Sequence, residues 1–403
     1  MKTERIIDAV KALENKIIED PRRFHTDAEI GGNEYRTMEY VLSEMSALGL
    51  EPIWVNEGLS AIFEFDTGKP GKTLALRADI DALPMQEDEF NLKQKKAVVS
   101  KNAGACHACG HDGHCAMLIS VARIIIENKA DFRGRFVFFF ESDEEGSGDF
   151  DCSSVFKKYL EEKKPDAIWG IHLAGFMECG KISVQAGPRM ASPGMFEIKI
   201  IGRGGHGSLP KQAINPVTTA AELVYNLETI IPAQIPDGEV ATFAVTSIRG
   251  GDFWNIIPDT CTVMGNFRCC SQKMYDIFAE QIALITDDVC GANQCKVEYL
   301  KMPKVGDVVR PVWNDEKLSE IAEKALDKIL PGARVTESVW MAAEPFGLYQ
   351  KVVPGVFAFV GVANEEFGCG AAHHNGKFDM DERALVYGVM LTVKFVSDFM
   401  NDE

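Results

Sequence analysis

The sequence predicts an α/β protein: a mixed sheet with helices on both faces, and a second, α+β domain inserted into it. Three observations lead there. Nearly continuous apolar runs such as Phe136-Val137-Phe138-Phe139-Phe140 have the pattern of strands covered on both sides. These runs alternate with segments of helical period. The stretch from about Ser192 to Met302 then changes to a β-α-β-β-α-β order, the ferredoxin-like arrangement. A length of 403 residues exceeds one ordinary core. The domains are expected at 1–190 with 303–403, and at 191–302.

In chain order, Glu4 to Lys16 and Glu34 to Leu48 carry apolar residues at helical spacing, the second ending at Gly49. Strands follow at Ser60 to Phe65, Thr73 to Ala78, Arg135 to Phe140, Ala167 to Ile171 and Gly355 to Val360. Helices lie between and after them at Cys115 to Lys129, Val155 to Lys163, Asp315 to Leu330 and Asp381 to Met400. In the insert, Met195 to Ile201, Val240 to Ile248, Thr260 to Phe267 and Cys295 to Leu300 read as strands. Pro216 to Ile231 and Gln272 to Val289 read as helices. Gly202-Arg203-Gly204-Gly205-His206-Gly207 and Gly250-Gly251 mark its turns.

The net charge of -18 argues against nucleic acid or an anionic membrane as partner. No apolar run has the length of a membrane span. The N-terminus opens a charged amphipathic helix rather than a signal peptide. Eleven cysteines, an odd number without an export signal, suggest a reducing cytoplasm rather than a disulfide framework. Cys269, Cys270, Cys290 and Cys295 read as buried thiols.

Metal-ligand side chains stand at the ends of separate apolar runs. The tightest group is Cys106-His107-Ala108-Cys109-Gly110-His111-Asp112-Gly113-His114, followed later by Glu144-Glu145-Gly146, His172 and His373-His374. Asp79, Asp81, Glu144, Glu145 and His172 come just after predicted strands, where open α/β sheets form their sites. Thiolate, imidazole and carboxylate together suit divalent transition metals. Adjacent carboxylates resist joint ionisation in a dry site unless a cation is present. One as ligand and one as base resolves that conflict and points to metal-assisted hydrolysis. Cys106-x-x-Cys109 leaves another class open, a non-catalytic metal- or redox-responsive protein. On residue physics alone, His172 reads as a satisfied core residue and His206 as a surface-loop residue.

Six segments carry a resemblance over nearly the whole chain. They are Arg22-Arg23-Phe24-His25 through Glu34, Ala75 through Met85, His107 through His114, Glu144-Glu145-Gly146, His206 with Asn255-Ile256-Ile257-Pro258, and His374-x-x-x-Phe378 followed by Asp381-Glu382. They resemble the aminoacylase/carboxypeptidase-type co-catalytic metallopeptidases. The nearest branch is the amidohydrolases, with hippurate hydrolase, auxin-conjugate hydrolases and N-acetyl-diaminopimelate deacetylase. The resemblance implies a zinc-exopeptidase-like catalytic domain with an inserted lid and dimerisation domain. It implies two divalent ions, Mn or Zn first and Co or Ni after them, on Cys109, His111, Glu145, His172 and His374, with Glu144 as general base. His206 would donate to the oxyanion after lid closure, often across a subunit boundary. Asn255 and Arg268 would hold the substrate carboxylate, and Asp81 and Asp112 would orient the imidazole ligands.

The implied reaction is hydrolysis of an amide in an N-acyl amino acid or a small peptide-like compound, by metal-activated water. A homo-oligomer, a dimer first, is implied with it. A dipeptidase or carboxypeptidase could use the same site. Three departures bear on substrate preference. Glu141-Ser142-Asp143 replaces the usual Gln-Pro-Ala and makes that loop more acidic, Gly175 replaces a Pro, and Pro345 replaces an Asp.

Overall fold

The computed structural model describes residues 1–56, 58–146, 152–306 and 309–401. The chain forms two compact units. One is Met1–Gly187 with Trp313–Ser338 and Pro345–Glu403; the other is Pro188–Val312 with Val339–Glu344.

The first unit is built on a seven-stranded mixed sheet. Its order is Pro52–Asn56, Ser60–Asp66, Arg135–Glu141, Thr73–Asp79, Ala167–Glu178, Gly355–Ala363 and Ile182–Ser183. The central four strands are parallel, and the flanking ones antiparallel. The phenylalanine run shows how both faces are covered. Phe136, Phe138 and Phe140 join the core formed with helices His111–Glu127 and Arg383–Asn401. Phe139 points the other way and stacks on Phe156 of helix Cys152–Lys163, ring centroids 4.5 Å apart. Alternation along a strand makes a continuous apolar run necessary where both faces are buried.

The second unit has a four-stranded antiparallel sheet in the order Ala241–Arg249, Thr260–Cys269, Ser192–Ile201, Lys296–Lys301. Numbered along the chain, that is second, third, first, fourth, which is the ferredoxin-like order. Helices Pro216–Ala233 and Gln272–Ala292 bury one face of it. Each starts at a side-chain cap: Asn215 accepts from Val217 N and Ser271 from Met274 N. The expected insert, 191–302, lies within this unit.

Some elements differ from expectation. The first helical segment is two helices, Thr3–Ala12 and Glu14–Thr26, separated at Leu13. The second runs on to include Arg22 and His25, although it contains Pro21. The strand expected to end at Ile171 continues through His172 to Glu178. The short strands Pro52–Asn56 and Ile182–Ser183 carry too few residues for a periodicity signal. Among the described residues no helix is long and apolar enough to cross a membrane.

Candidate metal centre

The parallel strands deliver the site. Thr73–Asp79 and Arg135–Glu141 end together, with Asp79 opposite Glu141, and Asp81, Glu144 and Glu145 follow within a few residues. Pairing between Thr73–Asp79 and Ala167–Glu178 stops at Arg77 and Gly170, two residues before His172. Gly110 caps helix His111–Glu127 with a left-handed φ of 86°. Only glycine takes that conformation cheaply. It turns the chain between Cys109 and His111 so that thiol and imidazole share a site.

Five side chains meet there. The ligand atoms of Cys109, His111 and His172 lie within 4.8 Å of one another, and so do those of Cys109, Glu145 and His374. Cys109 belongs to both groups. Its Sγ is 3.5 Å from His172 Nε2, and His374 Nε2 is 3.0 Å from Glu145 Oε1. His111 Nε2 is buried without a hydrogen-bond partner among the described residues. It stands 3.9 Å from both Glu144 Oε2 and Glu145 Oε1.

The surrounding bonds fix how each candidate ligand presents itself. His111 Nδ1 donates to Asp81 Oδ1 at 3.0 Å, and Asp81 Oδ2 accepts from Glu145 N at 3.0 Å. His172 Nδ1 donates to Leu173 O at 2.7 Å, which leaves Nε2 as the basic nitrogen. Burial holds His172 well below the usual imidazole range, so it is neutral, as a ligand must be. Burial pushes the Cys109 thiol well above its ordinary value. A cation in place of the proton is what would make it a thiolate. The orphaned His111 nitrogen, the neutral His172 and the mixed donor set therefore fit divalent ions.

Neighbouring groups resolve differently. His114 is saturated: Nδ1 donates to Asp79 Oδ1 at 2.5 Å and Nε2 accepts from Leu173 N at 2.8 Å. His373 Nε2 accepts from Gly175 N at 3.0 Å, so His374 is the one that meets Glu145. Asp81 bonds the imidazole of His111, a candidate ligand, whereas Asp112, expected to orient such an imidazole, does not. It bonds His25 Nδ1 at 2.8 Å, because one residue along a helix from His111 turns the side chain about a quarter-turn away. Burial depresses His25, yet its bonds to Asp112 and Glu87 prevail and raise it to about 10. His25 is therefore an imidazolium between two carboxylates. His107 is buried with neither ring nitrogen bonded among the described residues, and burial lowers it to about 4.

The remaining candidates lie in the second unit. Gly205–His206 pairs antiparallel with Ile256–Ile257, with His206 opposite Ile256. Gly207 N donates to Asn255 O at 2.8 Å, so the histidine and Asn255 share one small ladder. A Cβ on Gly204 would meet Ile257 O at 2.8 Å, which explains the glycine at that crossing. His206 Nδ1 accepts from Ser208 N at 3.1 Å and lies 2.8 Å from Ser208 Oγ. A backbone N–H can only donate, so the ring proton sits on Nε2 of this exposed side chain. Arg268 is half-buried and donates to Phe267 O. It has no carboxylate partner among the described residues, and burial lowers it.

Residues 75–398 match the sequence model of peptidase family M20/M25/M40. Thermostable carboxypeptidase 2 of Saccharolobus solfataricus is 31% identical over 97% of this chain and 98% of its own length. An IAA-amino acid hydrolase of Arabidopsis thaliana is 30% identical over 94% of this chain and 84% of its own. The crystal structure of a Bacillus subtilis dinuclear metal binding peptidase of the M20 family superposes with a TM-score of 0.81. It is 26% identical and covers 98% of this chain and all of that one.

Proposed function

We propose that this chain, which belongs to peptidase family M20/M25/M40, releases amino acids from N-acyl amino acids. It is a metal-dependent amide hydrolase with a dinuclear metal site. The overlap of the two ligand groups at Cys109, with Glu144 beside them, supports the metal chemistry, and the 30% identity to an IAA-amino acid hydrolase favours an N-acyl amino acid as substrate.

In this reading Cys109, His111, Glu145, His172 and His374 hold two divalent ions. When bound, the ions supply Lewis acidity toward the amide carbonyl and lower the pKa of water from 15.7 toward ~7. The chain's own groups do the rest. Glu144 takes a proton from the attacking water and delivers it to the departing nitrogen. His206 donates through Nε2–H to the developing oxyanion, the tautomer that Ser208 selects. Arg268 and Asn255 bind the carboxylate of the amino-acid half, which gives the guanidinium a carboxylate partner. One thiolate with imidazoles and carboxylates suits Zn or Mn, with Co and Ni as further candidates.

We read the inserted unit as a lid through which two copies pair, and the cytoplasm as the compartment, since the described cysteines are free thiols. Cleavage of free peptides is the second reading, favoured by the 31% identity to a carboxypeptidase. The redox reading loses support: burial pushes the Cys106 thiol up to about 12, whereas reactive thiols are depressed.

The test is amine release from N-acetyl, N-benzoyl and longer N-acyl amino acids and from dipeptides. Metal-stripped protein is compared with Mn- and Zn-restored protein. Metal-dependent release from N-acyl amino acids above dipeptides is expected. Dipeptides cleaved faster would install the second reading, and no release with either metal would refute both.

A further inference from the structure

The geometry assigns Lys96 as a positioning residue for His374, a role that rests on reading His374 as a metal ligand. Lys93, Gln94 and Lys95 beside it are exposed, yet the Lys96 side chain is 1% exposed. A buried ammonium is costly unless it is paired and fully bonded. Lys96 Nζ donates to Glu87 Oε1 at 2.8 Å and to Gly376 O at 2.7 Å. Glu87 in turn bonds His25 Nε2 at 2.8 Å, and His25 bonds Asp112. Two cations and two anions thus form a buried, charge-balanced quartet. It joins helix Glu14–Thr26, the segment 87–96 and the start of helix His111–Glu127.

The contact with Gly376 links this quartet to the metal centre. His374 has a left-handed φ of 59°, uncommon for a residue with a side chain. Such a conformation persists only where its surroundings over-determine it. The backbone is held on both sides of it. His374 N donates to Ala108 O at 3.0 Å, next to the ligand Cys109. Two residues later, Gly376 O accepts from Lys96 Nζ and from Asp88 N at 3.0 Å. Gly376 lies so close to the 86–88 backbone that a Cβ would meet Gln86 O at 2.8 Å. Without the ammonium, the charge-assisted half of this second hold is gone. The His374 imidazole, half-exposed at 52%, then loses its fixed approach to Glu145. Outer groups that orient ligands commonly set metal affinity in this way.

The test uses the full-length chain, stripped of metal and titrated with Zn and Mn against a competing chelator, with unfolding of the metal-free protein recorded in parallel. Wild type should bind two ions, and His374→Ala should lose one. Lys96→Met should weaken one of the two by about 10–100-fold, and Lys96→Arg should recover part of that. If Lys96→Met folds poorly because Glu87 is left in excess, the Lys96→Met/Glu87→Gln pair restores charge balance but not the hold on Gly376 O. It should fold and keep the weakened ion. Two ions bound as in wild type by that pair, while His374→Ala loses one, would overturn the role of Lys96 alone. Two ions retained by His374→Ala would overturn the ligand reading, and this inference with it.

Discussion

Asp81→Asn isolates the group that holds two proposed ligands at once. Asp81 is buried at 1% exposure. One oxygen accepts from His111 Nδ1 and the other from Glu145 N, both at 3.0 Å. An asparagine has one carbonyl oxygen. If it serves His111, the amide NH2 abuts the Glu145 N–H, and the reverse arrangement strands His111. Either way one buried donor is left unsatisfied, at a cost of about 1–3 kcal/mol. At 1.4 kcal/mol per tenfold, and with the bound state bearing the misplacement, metal affinity should fall roughly 5–150-fold. The assay is competition for Zn or Mn against a chromophoric chelator, starting from metal-free protein. Activity should fall at limiting metal and recover in part when metal is raised. Asp66→Asn serves as control, since that carboxylate is exposed and pairs with Arg135. Affinity within twofold of wild type for Asp81→Asn would refute the claim that this carboxylate orients the centre.

Further expectations concern the base, the oxyanion donor and a buried acid. Glu144→Gln should lower kcat by about 10²–10⁴ with two ions still bound; retained turnover removes Glu144 from its role. His206→Ala should lower kcat by about 10²–10³, and an unchanged kcat would return that side chain to an ordinary loop residue. Glu34 accepts from Asp143 N at 2.8 Å, and burial, with Asp81 and Asp143 nearby, pushes it from 4.5 to about 8. The folded chain keeps a proton that the unfolded chain releases. Its contribution is therefore complete below about pH 4.5 and declines as pH rises toward about 8. In metal-free protein, Glu34→Gln should flatten the loss of denaturation midpoint across that window; an unaltered slope would refute the shift.

The sequence shows some of this site and hides the rest for identifiable reasons. The run Phe136 to Phe140 announces a strand buried on both faces, because period-2 alternation disappears only there. The ligand types at the strand ends are visible for the same reason. What stays hidden is where each polar atom is satisfied. His114 reads as an available ligand, yet Asp79 and Leu173 N occupy both its nitrogens. His206 reads as a bland loop residue, and the bond that fixes its tautomer comes from Ser208, two residues away. Asp112 reads as a partner of the ligand imidazoles, and helix geometry gives it to His25. Lys96 gives no signal in a Lys-Gln-Lys-Lys run. Composition and spacing carry side-chain chemistry, but not the partner each atom finds.

The departures around the site follow the same logic, and two of them point inward. Glu141 was expected to make the loop before Glu144 more acidic. It ends strand Arg135–Glu141 instead, at 1% exposure. There its carboxylate lies 2.5 Å from Arg77 Nε and accepts from Tyr349 Oη. Arg77 also reaches Asp79 at 2.6 Å, so one guanidinium bridges two carboxylates beneath the centre. Ser142 is buried against Ser60. Of the three residues only Asp143 adds charge near Glu144. Gly175 is the clearer case. Its N–H donates to His373 Nε2, and a proline at that position has no N–H to give. A Cβ there would also meet Ala371 O at 2.9 Å. A proline would remove this donor from the half-buried His373, which burial already lowers to about 3, one residue before His374. Gly175 and His373 therefore form one local solution, in which the backbone of strand Ala167–Glu178 occupies the neighbouring imidazole and leaves His374 to face Glu145.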